Sequence, residues 1–248
     1  MTRQSACQIL LCLSTLHALQ IAATIIPQDA SEVSLYVMVT PSHEKFFREW
    51  FLPSLKDNYK LVVKRREQGK CNGVQMSPGW TKTVLKKVDI ILEAIEENWG
   101  KPFVFSDVDI QFFRPTWPTL AALLKDNDML FQSEKPPHKT ICCTGFFVCV
   151  GNERTRKIWR DTKNNMLSLP PERRNSDQWG FNRMRGKNPQ LKFELLPEIF
   201  MGGFSWKRHG HRVVDGCLMH HANFAKGTKA KIAQLECVRN KFLASNQL

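Results

Sequence analysis

The sequence lacks cysteine pairs in CxxC spacing, zinc-finger spacing and any long terminal run of lysine or arginine. Without paired thiols a structural zinc site is not expected, because such sites place their ligands in close pairs. Without a basic tail or a finger motif, nucleic acid is not an expected partner. Internal repeats and low-complexity segments are also absent, so we expect a globular domain rather than a repeat array or a disordered chain.

Acidic residues are scarce relative to basic ones. The chain has 23 Asp and Glu against 36 Lys and Arg, which gives a formal net charge of +13. This excess favours anionic partners such as nucleotides, phosphates, acidic glycans or a membrane surface. A length of 248 residues with 42% hydrophobic composition is typical of one α/β domain.

The N-terminal residues have the composition of a leader. Residues 9–26 are mostly apolar, Arg3 adds a positive charge ahead of them, and the small Ala22 and Ala23 follow the apolar core. This pattern predicts a signal peptide or signal-anchor over residues 1–28, with the folded domain over 29–248. It favours a location in the secretory pathway or Golgi lumen, with membrane association through the N-terminus. An amphipathic N-terminal helix on a cytoplasmic protein is the alternative.

Cysteine usage leaves two interpretations open. Of eight cysteines, six lie outside the leader: Cys71, Cys142, Cys143, Cys149, Cys217 and Cys237. An even number permits disulfides in an oxidising lumen. Buried free thiols inside strands explain Cys142, Cys143 and Cys149 equally well.

Strand and helix patterns alternate along the chain. Strands over 33–40 and 59–63 flank a helix that Ser42 could cap, and this β-α-β opening predicts a parallel sheet. A second helix, opened by Ser77-Pro78, has apolar residues at a 3.6-residue period. Further predicted elements are strands over 128–133, 141–150, 191–196 and 212–221, helices over 117–125 and after the caps Asn152 and Ser176, a loop over 201–210, and a helix from Gly227.

The most informative stretch is the apolar run over residues 103–113, which contains Asp107 and Asp109. The run predicts a buried strand, on which side chains two positions apart leave on the same side. Two neighbouring carboxylates are costly to bury unless a cation lies between them, and Mg²⁺ or Mn²⁺ prefers such oxygen ligands. The alternative is that both aspartates lie in solvent at a strand end.

An ordered set of motifs resembles the GT-A-fold nucleotide-diphospho-sugar transferases. Asp107-Val108-Asp109 is similar to the family's DxD region, and Thr144-Gly145, Asp177-Gln178 and His221-Ala222-Asn223 follow in the family's order. The resemblance covers residues 33–240 and implies a single GT-A-like, Rossmann-like α/β domain with a mainly parallel central sheet flanked by helices. It also implies a glycosyltransferase, of the retaining type, that uses Mn²⁺ or Mg²⁺ and a nucleotide-sugar, usually a UDP-sugar. The acceptor would be a hydroxyl of a glycan, a glycoprotein or another molecule.

The same resemblance implies roles for individual residues. Asp107, Asp109 and His221 would be the metal ligands. Asp177 and Gln178 would face the transferred sugar and the acceptor as the catalytic pair. Donor binding would involve Asp107, Lys87, Thr144, Gly145, Asn223, Lys226, Gly227 and Lys231. Cys143 stands where family members often have asparagine before the Thr-Gly step.

Each assignment has an alternative. His220 is also available, but strand alternation gives the two histidines opposite faces, and the spacing to Asn223 and Gly227 favours His221. His221 could instead be a buried structural histidine, and Asp177 an exposed acid in the first turn of a helix. At the level of function, the alternatives are a phosphatase-like hydrolase with a DxD motif and a non-catalytic nucleotide- or glycan-binding protein on the same fold.

Overall fold

A computed structural model describes residues 24–68, 79–137, 139–169 and 176–245. Most of the predicted leader lies outside these ranges, as do Cys71 and the predicted helix start at Ser77-Pro78. In the described ranges, no helix has both the length and the apolar character needed to cross a membrane.

A six-stranded sheet forms the centre of the molecule, in the order β2-β1-β3-β6-β5-β7. Its strands are β1 (Ser34–Val39), β2 (Lys60–Arg65), β3 (Pro102–Ser106), β5 (Met129–Lys135), β6 (Lys139–Val150) and β7 (Phe193–Leu195). β1 pairs in parallel with β2 and β3, and β5 pairs in parallel with β7. β6 runs antiparallel to its neighbours β3 and β5. The predicted α/β fold with a mainly parallel sheet is therefore confirmed.

Helices cover both faces of this sheet. The first, α1, is a continuous helical stretch made of a 3-10 turn, an α turn, a π turn and a second α turn (Pro41–His43, Glu44–Phe46, Phe47–Phe51 and Leu52–Ser54). The others are α2 (Trp80–Glu97), α3 (Trp117–Leu124), α4 (Glu153–Ser168), α5 (Asp177–Arg185), α6 (Gly203–Arg208) and α7 (Gly227–Ser245). The predicted caps of α4 and α5 are confirmed, since Asn152 and Ser176 accept from the N–H of Thr155 and Trp179. The predicted Ser42 cap is wrong, because Ser42 lies inside the first turn of α1.

The run over residues 103–113 is not one strand, which corrects the sequence prediction. β3 ends at Ser106, and the chain re-enters a strand only at β4 (Ile110–Phe112), which belongs to a second sheet. The pairing of β3 with β1 ends at Ser106, although the N–H of Asp107 still donates to the carbonyl of Gly145 on β6 at 2.7 Å. The chain leaves the central sheet after this bond. Asp107 and Asp109 are therefore brought together by a turn between two sheets, and not by strand alternation.

The second sheet has three strands, β4, β8 (Phe200–Gly202) and β9 (Met219–His221), in the order β4-β9-β8. The predicted loop over 201–210 is wrong because it contains part of β8 and all of α6. The predicted strand over 212–221 is shortened to its last three residues. The positive φ of +68° at Gly216 is a left-handed conformation, which interrupts an extended strand.

Alternate residues of β1 divide the core into two layers. Leu35, Val37 and Val39 pack on one face of the sheet, and Tyr36 packs on the other with Phe103 and Phe105 of β3. The five cysteines in the described ranges are free thiols, and Cys142, Cys143 and Cys149 are buried in β6. For these three residues the buried-thiol interpretation is confirmed, because burial supplies the apolar contacts that a free thiol favours.

Candidate active site

The candidate site lies where β3 leaves the central sheet and meets the second sheet. Asp107 and Asp109 flank the turn between β3 and β4, and His221 is the last residue of β9. Asp109 and His221 are brought close because Ile110 of β4 pairs with His221 of β9. In open α/β sheets the ends of strands at such a change in topology are the usual position of ligand sites.

Asp107, Asp109 and His221 form a group that fits a divalent cation. One ligand atom from each residue lies within 4.8 Å of the others. Asp109 and His221 are buried, whereas the side chain of Asp107 is 35% exposed, so the group opens to solvent on one side. Two carboxylates and an imidazole suit Mn²⁺ or Mg²⁺. The alternative of two aspartates in solvent is wrong for Asp109, because its side chain is buried.

Gly145 provides the space that this group needs. A Cβ atom at position 145 would lie 2.4 Å from His221 Cε1 and 2.8 Å from Asp107 Oδ2. Both distances are shorter than van der Waals contact, so any larger residue displaces a ligand. Gly145 is required here for close approach of side chains, as a glycine inside a strand often is.

Lys231 of α7 supplies positive charge to the group. Its ammonium donates to Asp109 Oδ2, while His221 Nε2 lies 3.4 Å from Asp109 Oδ1. Burial raises the pKa of Asp109, but the charge of Lys231, joined by His221 whenever its ring is protonated, outweighs burial and holds the pKa well below its usual value. Burial lowers the pKa of Lys231, yet Asp109 outweighs this effect and the pKa is raised. Both groups are therefore charged at neutral pH.

Lys87 of α2 joins the two acidic parts of the site. Its ammonium lies 2.9 Å from Asp107 Oδ1 and 3.1 Å from Asp177 Oδ2, and the side chain is only 7% exposed. Burial lowers the pKa of Lys87, but the two carboxylates together raise it above its usual value. The buried charge is thus compensated by two partners.

Asp177 and Gln178 lie at the start of α5 and contact β6. Thr144 donates its hydroxyl to Asp177 Oδ2 at 2.7 Å, and its N–H donates to Gln178 Oε1 at 3.3 Å. Asn182, one turn later, pairs with both backbone groups of Cys142. Asp177 is buried, so its interpretation as an exposed acid in the first helical turn is wrong.

The two adjacent histidines have opposite environments, as strand alternation predicts. His220 is fully buried away from the acidic group, with Nε2 accepting from the amide of Gln234 at 3.0 Å. Burial and the neighbouring His221 lower the pKa of His220 to about 3. His220 is therefore a neutral residue of the core, and His221 is the histidine that faces the carboxylates.

The remaining donor-binding candidates, Asn223, Lys226 and Gly227, are not among the three residues of the acidic group. Asn223 donates to Glu134 Oε2 at 3.1 Å and accepts from the N–H of Gly203, which places it at the start of α6. Gly227 begins α7 with a left-handed φ of +79°, and Lys226 before it is exposed. The structure thus brings together Asp107, Asp109, His221, Lys87, Lys231, Thr144, Gly145, Asp177 and Gln178. Gly227 begins the helix that carries Lys231.

Two residues at the site, Gln132 and His43, are not identified by sequence reasoning. Gln132 of β5 contacts Nδ1 of the His221 ring, as does Cys143 of β6, which the sequence places before the Thr-Gly step. His43 of α1 lies close enough for the charges of Asp109, Lys231 and Asp107 to act on it, although burial is the main cause of its lowered pKa. The available signal for Gln132 is a buried amide after three apolar residues, Met129 to Phe131.

Comparisons with known proteins agree with this geometry. A family model described as nucleotide-diphospho-sugar transferase matches residues 51–235. Among solved structures, a glycosyltransferase involved in glycosylation of the major capsid of PBCV-1 is similar with a TM-score of 0.55 and 11% identity, over 82% of this chain and 97% of that one. The apo-form glycosyltransferase GlyE of Streptococcus pneumoniae TIGR4 gives 0.53 and 10%, over 86% of this chain and 63% of that one. Among curated proteins, none matches.

Proposed function

This chain belongs to the nucleotide-diphospho-sugar transferase family. We propose that it transfers a sugar from a UDP-sugar to an acceptor hydroxyl. The transfer would retain the anomeric configuration and would depend on Mn²⁺. The observation that carries the proposal is the convergence of Asp107, Asp109 and His221 within 4.8 Å. These three residues would hold the cation, which when bound would neutralise charge that develops on the leaving diphosphate.

The cationic side chains of this protein suit the donor half of the reaction. Cleavage of the bond between sugar and diphosphate leaves negative charge on a phosphate oxygen, and fixed positive groups stabilise that charge. Lys231 lies at the acidic group and Lys87 lies behind it. Gly227, Lys226 and the first N–H groups of α7 add further donors at the edge, since a helix N-terminus favours anions.

The surroundings of Asp177 favour retention. An inverting transfer uses a general base that removes the proton of the acceptor hydroxyl. Asp177 Oδ2 already accepts from the Lys87 ammonium and the Thr144 hydroxyl, so this oxygen is engaged by the protein and does not face a free acceptor hydroxyl. We assign Asp177 and Gln178 to positioning the sugar and the acceptor. The acceptor class is a glycan, a glycoprotein or another hydroxyl compound.

A donor screen tests the proposal. Purified protein is incubated with a panel of UDP-, GDP- and CMP-sugars, with Mn²⁺ or EDTA, and released nucleotide and transferred sugar are measured together. We expect release from a UDP-sugar with Mn²⁺ only, and loss of at least ~100-fold in Asp109→Asn, since even partners outside the first coordination sphere contribute about 10–100-fold. Release from no donor, or equal release in EDTA, would contradict the proposal.

The leader-like composition of residues 1–28 adds a location to this proposal. We place the reaction in the secretory pathway, where the Golgi lumen supplies glycan acceptors. Tracking a tagged full-length chain in cells tests it, and a uniformly cytoplasmic distribution would contradict it.

A further inference from the structure

One buried polar residue beside the site has no role in the function proposed so far. Gln132 of β5 is completely buried, and its side chain contacts two different elements. Its Oε1 lies 2.8 Å from His221 Nδ1, and its Nε2 donates to the carbonyl of Phe200 at 3.0 Å. An amide buried in an otherwise apolar strand is costly unless both ends are satisfied, and here both are.

The contact with Phe200 fixes which end of the amide faces His221. A backbone carbonyl can only accept, so the amide nitrogen of Gln132 must point toward Phe200. The amide oxygen then faces His221 Nδ1, and because this oxygen can only accept, Nδ1 must carry the ring proton. In the neutral ring this leaves Nε2 unprotonated, with its lone pair directed at the side where Asp109 lies.

The opposite tautomer of His221, with the proton on Nε2, would make weaker hydrogen bonds and one repulsive contact. With the proton on Nε2, the ring would donate to Asp109 Oδ1 across 3.4 Å, a long hydrogen bond. Among the described residues, the donor left for Nδ1 would then be the Cys143 thiol, which lies at 3.7 Å and is a weak donor. The oxygen of Gln132 would face a lone pair at 2.8 Å, which is repulsive.

The local backbone explains why Gln132 is aimed at the histidine. On β6, the partner of β5 shifts from Phe147, opposite Phe131, to Cys143, opposite Gln132. Residues 144–146 are therefore extra on β6, and such a bulge redirects side chains on both strands. The same bulge brings Thr144 and Gly145 to Asp177 and His221.

We propose that Gln132 is a positioning residue that holds His221 in the Nδ1–H tautomer and thereby prepares Nε2 as a metal ligand. The proposal deepens the proposed function and rests on it for the identity of the ligand. Histidines that bind metals commonly donate their second nitrogen to an outer partner, and loss of such a partner typically weakens metal affinity by about 10–100-fold.

The first measurement reads the tautomer without any metal. Long-range ¹H–¹⁵N spectra of metal-free protein, with His221 assigned by comparison with His221→Ala, distinguish Nδ1–H from Nε2–H directly. We expect Nδ1–H in the wild-type protein and a shift toward Nε2–H in Gln132→Met, which keeps the length of the side chain but removes the acceptor. Nε2–H in the wild type, or an unchanged tautomer in Gln132→Met, would overturn the proposal.

The second measurement is the affinity for Mn²⁺ alone, by isothermal titration. We expect Gln132→Met to weaken binding about 10–100-fold. The matched control is Gln111→Met, the same change at a buried glutamine on β4 that pairs with His220 and not with His221. We expect the control to change affinity less than about threefold. Equal losses in both variants would make Gln132 merely structural and overturn the proposal.

A third variant covers a failure of Gln132→Met to fold. Gln132→Glu keeps an acceptor oxygen toward Nδ1, and we expect it to keep the Nδ1–H tautomer; an Nε2–H ring in this variant would overturn the proposal. Failure of the proposed function has a different signature. A wild-type protein that shows the Nδ1–H tautomer but binds no Mn²⁺ would refute the metal site while the tautomer result stands, and the assignment of Nε2 as a ligand would fall with it.

Discussion

His220 and His221 are chemically identical neighbours with different surroundings. One is a neutral core residue bonded to Gln234, and the other faces two carboxylates. We expect His221→Ala to lower Mn²⁺ affinity at least ~100-fold, since a direct ligand contributes more than an outer partner. His220→Ala should cost on the order of 2 kcal/mol in free energy of unfolding through lost packing, with Mn²⁺ affinity nearly unchanged. Titration of both variants, with chemical denaturation in EDTA, measures the two effects; the reverse pattern would exchange their roles.

Gly145 offers a second test at the scale of one residue, because a methyl group there would overlap His221 and Asp107. We expect Gly145→Ala to weaken Mn²⁺ binding at least ~10-fold by displacing a ligand. Gly186→Ala is the matched control, since a Cβ at this helix C-cap would have its nearest neighbour at 3.9 Å. Calorimetric titration compares the two, and wild-type affinity in Gly145→Ala would show that His221 and Asp107 need no such space.

Sequence reasoning identifies the charged residues of the site better than their supports. Asp107, Asp109 and His221 stand out because charged and imidazole groups are unusual beside apolar runs. Gln132 and His43 do not stand out, because neither a glutamine nor a histidine carries a spacing signal of its own. Their importance depends on which residues of distant elements face them, and that arises only from the tertiary fold.

Among the helices and strands, Asp128, which immediately precedes β5, links that strand to α4 and β7. Its carboxylate accepts from Asn152 and Arg154 at the start of α4 and from the N–H of Lys192 before β7. Burial raises the pKa of Asp128, but these donors outweigh it and the pKa is lowered. A charged acceptor with several donors typically contributes about 2–3 kcal/mol.

This pairing predicts a pH-dependent stability. Because the folded-state pKa lies below the ~3.9 of an unfolded aspartate, the stabilisation is complete above that value and is lost as the pH falls through the folded-state pKa. We expect Asp128→Asn to lower stability at pH 7 by about 2–3 kcal/mol and to flatten its decline below about pH 4. Denaturation at several pH values measures this, with Asp126→Asn, an exposed neighbour, as control. Parallel pH profiles for Asp128→Asn and wild type would contradict the assignment.

The sequence predicts best those helices and strands that have a clear apolar pattern or a clear N-cap residue. The strand at β1 and the capped helices α4 and α5 are of this kind. The break between β3 and β4 is hidden because Val108, inside the turn, is itself apolar and buried, so the run looks continuous. α6 is missed because its first residue, Gly203, suggests a loop. In the fold that glycine is needed because a Cβ would lie 1.9 Å from the carbonyl of Asn223.

For the molecule as a whole, ligand binding should increase the free energy of unfolding and therefore raise the Tm. If UDP binds the native state through the cation, UDP at ~100 times its Kd with Mn²⁺ present adds about 2.7 kcal/mol. That corresponds to a rise of roughly 5–10 °C in Tm for a chain of this size. We expect much less with EDTA, because the carboxylates of Asp107 and Asp109 would then repel the diphosphate. Thermal shift measurements with UDP, Mn²⁺ and EDTA in all combinations check it, and equal shifts with and without metal would contradict metal-assisted binding.

The site joins residues from the turn between β3 and β4 to residues of β9 and α7, which are translated much later. This order determines when the site can form during synthesis. Asp109 is translated 122 residues before Lys231, its ion-pair partner. At about 5–20 residues per second, this separation corresponds to roughly 6–24 s of elongation. During most of that interval the nascent chain already carries β1, β2 and β3, yet Asp109 has neither the lysine nor the histidine that later surround it. The centre of the molecule can therefore begin to fold on the ribosome well before its chemistry is assembled, and competence for catalysis arrives with α7.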